Sequence, residues 1–110
     1  MHVAIRRYQT DPASVDAVMQ QVSEGFIPII KDADGFLAYY ALKAGESEIA
    51  TVSVFEDQAG AEESIRMAAD WIKQNLAALL PTPPEISAGE VGAHELNLTK
   101  LGVSKVRGSK

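Results

Sequence analysis

Arg6 and Tyr8 stand two residues apart in the run HVAIRRYQ. In an extended strand that spacing puts both side chains on one face. A guanidinium shielded from water can hold an anionic phenolate or carboxylate, and a phenol can donate to the same oxygen. Groups of this kind would stabilise a carbanion or enolate before it meets dioxygen in a cofactor-free oxygenation. The structural alternative for Arg6 is an ion pair with Glu90 or with a carboxylate of a second copy. Tyr40, Ser53 and Phe55 complete the candidate ligand-binding set, and Tyr40 and Ser53 read equally well as polar lining without turnover.

Other chemistries find little footing. His2 and His94, the two histidines, lie at opposite ends of the sequence, and there is no cysteine, so no metal site is expected. Asp32-Ala33-Asp34-Gly35 mimics part of an EF-hand loop, but the register would place Ile30 and Ala41 where carboxylates are required, so it reads as a turn. Phosphate-cradling glycine motifs are absent, and Ser53 and Ser64 have no histidine in any triad-like arrangement.

The elements that must position these residues follow from hydrophobic spacing. His2–Gln9 reads as a strand. Asp11 is then an N-cap with Pro12 at the first helical position. Apolar residues at Val15, Val18, Met19, Val22, Phe26, Ile29 and Ile30 form one helical stripe, which Pro28 should kink or restart. Phe36–Lys43 and Glu48–Glu56 read as a hairpin around Ala44–Ser47. Asp57 opens a second helix with apolar positions from Ala61 to Leu80, stopped by Pro81, Pro83 and Pro84. Glu85–Val91 is a last short strand. The order β-α-β-β-α-β is the ferredoxin-like α+β pattern, with a four-stranded antiparallel sheet and both helices on one face.

With 110 residues, the chain holds one small domain, expected over 1–92, and a C-terminal extension, 93–110. The extension has four cations and one carboxylate, a formal +3, so the preceding residues carry −8 of the net −5. Leu96, Leu98 and Leu101 are apolar enough to dock, or the tail adds a strand to a partner subunit; Gly108–Lys110 should fray. A 46% hydrophobic fraction fits a folded domain. No apolar run is long enough to span a bilayer and the acidic balance argues against nucleic acid. No signal peptide is visible, and the lack of cysteine fits a cytoplasmic protein.

Two helices leave one sheet face open. Pairing Lys43 with Glu48 sets Tyr40 opposite Thr51, Ala38 opposite Ser53 and Phe36 opposite Phe55. Leu37, Tyr39, Ala41, Ala50, Val52 and Val54 then suit the helix-covered core, joined by Val3 and Ile5. Arg6, Tyr8, Phe36, Tyr40, Ser53 and Phe55 fall on the open face, because an Arg under two helices would lose hydration without an evident partner. An apolar open face implies an interface or a ligand site.

The segments PASVDAVMQQVSEGFIPIIKDADGF, TVSVFEDQAGAEES and WIKQNLAALLPTPPEISAGEV resemble the antibiotic biosynthesis monooxygenase-like (ABM) family of dimeric α+β barrel proteins. The resemblance runs from His2 to about Gly92. Asp34-Gly35-Phe36 and Val54-Phe55-Glu56-Asp57 carry it most clearly. It implies a homodimer whose two sheets enclose a barrel. It also implies cofactor-independent oxygenation of a small phenolic or enolisable aromatic, or a non-catalytic binding or stress-response role, or a structural dimer with a filled interior. Trp71 lies where the family's oxygenases tend to place a pocket tryptophan, which makes it a catalytic candidate beside Arg6 and Tyr8. The assisting Asn one turn earlier is Met67 here. The histidine of the haem degraders falls among Leu79-Leu80-Pro81, so neither haem nor any other cofactor is expected.

Overall fold

β1 (His2–Gln9) is followed by a 3₁₀ turn at Pro12–Ser14, where the Asp11 carboxylate accepts from the Ala13 N–H at 2.9 Å. The helical path continues as α1 (Val15–Gln21), a π turn (Val22–Phe26) and α2 (Ile27–Ile30). Pro28 lacks the N–H that an α-helix needs, and the chain answers with the π turn, in which the Ile27 N–H reaches back to the Val22 carbonyl. β2 (Phe36–Gly45) and β3 (Glu48–Phe55) form the hairpin. α3 (Gln58–Asn75) is capped by Asp57, whose side chain accepts from the Gly60 N–H at 2.9 Å. β4 (Glu85–Glu90) closes the sheet. This computed structural model describes residues 1–102.

The strand order β2-β3-β1-β4, antiparallel throughout, is the ferredoxin-like arrangement expected from the sequence. The helices cover one face, and the core between the layers includes Val18, Phe26, Ile30, Ile49, Phe55 and Leu76. α3 ends one turn earlier than its apolar stripe suggests. Leu76 leaves helical geometry, and Leu80 thereby turns back into the core. The Thr10 hydroxyl donates to the Leu79 carbonyl at 2.7 Å, tying this exit to the end of β1.

The faces of β1 and β3 are reversed from the sequence expectation, whereas Tyr39 and Ala41 lie on the covered side and Tyr40 and Leu42 on the open side as expected. Ala4, Arg6 and Tyr8 are buried on the helix-covered side, with Ile49, Thr51, Ser53 and Phe55 beside them. Val3, Ile5, Val52 and Val54 lie on the uncovered face. In the hairpin, Phe36 does face Phe55, but a bulge at Leu37 shifts the register, so Tyr39 meets Ser53 and Tyr40 meets Val52. One extra residue in one strand exchanges the faces of everything beyond it. Tyr39 and Ala41 therefore enter the covered side, whereas Tyr40, 56% exposed, and Leu42 point away from it.

Residues 91–97 form neither helix nor strand, and Leu96, Leu98 and Leu101 are exposed rather than docked on the domain. The expected fraying of Gly108–Lys110 concerns residues outside those described. No helix among the described residues is long and apolar enough to cross a membrane.

Candidate functional site

Arg6 is 1% exposed, the largest of the fully buried side chains. Its neighbours across the sheet are Thr51 on β3 and Ile86 on β4. Nη2 donates to the Ser53 hydroxyl at 3.2 Å. Nε and Nη1, and the Thr51 hydroxyl oxygen, have no hydrogen-bond partner among the described residues. Glu90, the carboxylate considered for an ion pair, lies opposite His2 at the far end of the strand and is exposed. A guanidinium out of water without a counter-ion is costly. Buried polar groups normally find partners, so three orphaned polar atoms in one place mark an unusual spot.

Two spaces meet at Arg6 and Tyr8. An inner cavity of about 20 Å³ is walled by Phe26, Tyr39, Thr51 and Trp71 together with aliphatic side chains. A groove of about 380 Å³ opens outward between α3, Ile86 and the Pro81–Pro84 segment. Arg6, Tyr8, Ile72 and Leu80 line both. The groove is large enough for a small organic molecule, at the lower end of the usual ~300–1,000 Å³.

The aromatic wall is built from three elements. Phe26, on the π turn, has its ring centroid 5.6 Å from Tyr39 in an edge arrangement and 5.5 Å from Trp71. Gly25 is required beneath Trp71: a Cβ there would stand 2.7 Å from the indole Cζ2. Phe55 packs edge-on against Phe36 at 5.8 Å and is wholly buried. It lines neither space at Arg6, and Gly60 has no room for a Cβ against its ring.

Burial pushes the Tyr8 hydroxyl above its ordinary pKa, and the charge of Arg6 works against that rise. Tyr39 is also pushed up by burial, again opposed by Arg6. Both phenols are therefore neutral donors near neutral pH, flanking a permanent cation. Neither space is lined by a carboxylate or an imidazole in contact with Arg6. No group of three or more potential metal ligands converges among the described residues.

Of the candidates read from the sequence, the structure brings together Arg6, Tyr8, Ser53 and Trp71. Ser53 acts on Arg6 rather than on the open space. Tyr40 lies on the uncovered face as expected, but Arg6 and Tyr8 do not share that face, so Tyr40 is corrected out of their site, and Phe55 is corrected to core packing. Tyr39 takes the place foreseen for Tyr40. Its signal in the sequence was the Tyr39-Tyr40 pair itself, where a single-residue shift decides which ring faces inward.

No protein-family model matches the chain, nor does any curated protein. Solved structures do. A protein of unknown function from Nitrosomonas europaea superposes with a TM-score of 0.72 at 28% identity, over 87% of this chain and 93% of that one. The monooxygenase from the ActVA-Orf6 gene of Streptomyces coelicolor, solved with the ligand nanaomycin D, gives 0.70 at 17% identity, over 87% and 91%. The chain has the fold of the antibiotic biosynthesis monooxygenase-type proteins. SnoaB from Streptomyces nogalater, a cofactor-independent oxygenase, shows the same ABM-type fold at a TM-score of 0.60 and 13% identity, over 84% and 94%. On this ABM-type framework Arg6 sits between sheet and helices with Nε and Nη1 unpaired among the described residues.

Proposed function

We propose that this chain binds a small aromatic molecule bearing an ionisable oxygen, a phenol or an enolisable ketone, and oxygenates it without a cofactor. The observation that carries this reading is the buried Arg6, which borders both spaces and whose Nε and Nη1 have no hydrogen-bond partner among the described residues. A ligand oxyanion there would satisfy the guanidinium and receive a charge-assisted bond. Tyr8 and Tyr39, held neutral by burial, are placed to donate to the same oxygen. Stabilising the oxyanion raises the fraction of ligand in its electron-rich form. The carbanionic carbon of that form gives an electron to dioxygen and a carbon–oxygen bond closes. The hydroperoxide loses water to leave a carbonyl, one oxygen atom ending in the product and the other in water.

The same framework supports a homodimer. Val3, Ile5, Tyr40, Leu42, Val52 and Val54 make an apolar sheet face without cover in a single chain, the kind of surface that marks an interface. A second copy facing it would close the barrel implied by the family resemblance.

A non-catalytic binding role is the second reading. It is favoured by the lining of the two spaces, which among the described residues includes no carboxylate or imidazole that could take a proton from a ligand at Arg6. Dioxygen uptake with naphthol and anthrone probes, run beside a titration of Trp71 fluorescence, tests both. Uptake that depends on Arg6 supports oxygenation. Saturable quenching without uptake leaves binding alone, and neither quenching nor uptake removes the proposal.

A further inference from the structure

The charge on the groove wall is unlike that of the rest of the chain. The protein has 15 acidic and 10 basic residues, yet the groove is lined by two cations, Arg6 and Lys73, and by no carboxylate. The cations differ in depth. Arg6 is buried at the inner end, and Lys73, on the last turns of α3, is exposed at the rim. Asp70, one turn before Lys73, is directed to Arg66, 3.5 Å away, and Lys73 forms no ion pair among the described residues. Apart from Tyr8 and Thr82 the rest of the wall is apolar, with Ile65, Ile72, Leu80, Pro83 and Ile86 among its residues.

Building on the aromatic-ligand reading above, we infer that the ligand class is an aromatic acid with two anionic ends. A phenolate or enolate oxygen meets Arg6, the ring system lies between α3 and the proline segment, and a carboxylate at the far end meets Lys73 at the rim. An apolar slot with a cation at each end discriminates by charge placement as well as by shape. A neutral ring would leave Arg6 unpaired, and a monoanion would use one end alone. The two contacts differ in strength. A buried guanidinium without a counter-ion gains more from an anion than an exposed ammonium does, since solvent and salt screen the rim.

The test compares three probes on the full chain by quenching of Trp71: a naphthol, a hydroxynaphthoic acid with its two groups at opposite ends of the ring system, and the methyl ester of that acid. The acid is expected to bind about three- to tenfold more tightly than the ester at low salt, with the advantage shrinking at high salt. Lys73→Met should remove the advantage and leave ester affinity unchanged. Arg6→Met should weaken all three probes while circular dichroism and the thermal midpoint show the fold retained. Equal affinity of acid and ester, or an acid preference that survives Lys73→Met, overturns the two-ended ligand while naphthol binding keeps the parent reading alive. Failure of the naphthol and of both other probes to bind overturns the parent reading and this inference together.

Discussion

Arg6 Nη2 donates to the Ser53 hydroxyl at 3.2 Å, and this bond between β1 and β3 is the single hydrogen bond of the buried guanidinium among the described residues. A serine hydroxyl orients the cation and leaves its charge free. A carboxylate in the same place would have cancelled it. The arrangement leaves a buried positive charge without a counter-ion among the described residues, at a cost in folding stability.

That cost makes the consequence of Arg6→Met specific. No carboxylate is stranded by the change, so unfolding free energy in urea should stay within about 1 kcal/mol of the parent or rise. Binding of a naphthol probe should weaken by about 1.5–3 kcal/mol, the scale of a hydrogen bond to a charged group. A stability loss of ~3–5 kcal/mol with unchanged binding would assign Arg6 a structural role instead.

Ser53→Ala should act in the other direction on the fold. It removes the bond that holds Nη2 and leaves the whole guanidinium unsatisfied in a dry setting. A loss of about 1–3 kcal/mol in chemical denaturation is expected. Added naphthol should recover part of it, because a ligand that binds only the folded state raises apparent stability.

Gly25→Ala probes the aromatic wall. The new methyl would meet the Trp71 ring at 2.7 Å, and that ring is backed by Phe26. Displacement of the indole should cost about 1–3 kcal/mol, the usual scale of overpacking. Trp71 emission should shift as its environment opens, and an unaltered spectrum with unaltered stability would refute the contact.

The two buried tyrosines set a pH limit. Their folded-state pKa values lie above the ordinary 10, so above that pH the unfolded chain releases phenolic protons that the folded chain retains. Stability should be flat below about pH 9 with respect to these groups. Above ~10 it should fall by up to about 1.4 kcal/mol per pH unit for each tyrosine. Urea unfolding at stepped alkaline pH, with tyrosinate absorbance followed in parallel, reads this directly. Tyr8→Phe should reduce the slope.

Assembly is tested at Val52, which lies between Ile5 and Tyr40 on the uncovered face. The parent chain should scatter as a dimer burying ~1,200–2,000 Å² in total. Val52→Asp should give a folded monomer at micromolar concentration. A parent that is monomeric at that concentration would refute the homodimer.

Much of the fold was legible because it rests on local signals. Asp11 and Asp57 before apolar stripes give the helix starts, Pro28 interrupts the first helical path, and Pro81, Pro83 and Pro84 bound the second, which ends before them at Asn75. Alternating and β-branched runs give the strands, and their order leaves the ferredoxin-like sheet as the natural arrangement. Arg6 and Tyr8 were legible as a pair because a strand places residues two apart on one side.

Which side they face was decided by the tertiary structure. The rule that Arg avoids burial pointed outward, and the structure departs from it: Arg6 is 1% exposed on the covered side and bonded there to Ser53. The choice between Tyr39 and Tyr40 was settled by the bulge at Leu37, a register shift of one residue that composition does not encode. Sequence by itself determined which residues lie in which strands and helices, since that follows from spacing and caps. Only packing of the two layers determined which face was covered. The two sheet faces are both apolar enough to be buried, and helices meeting the Arg6 side rather than the Val52 side is a contest between whole surfaces.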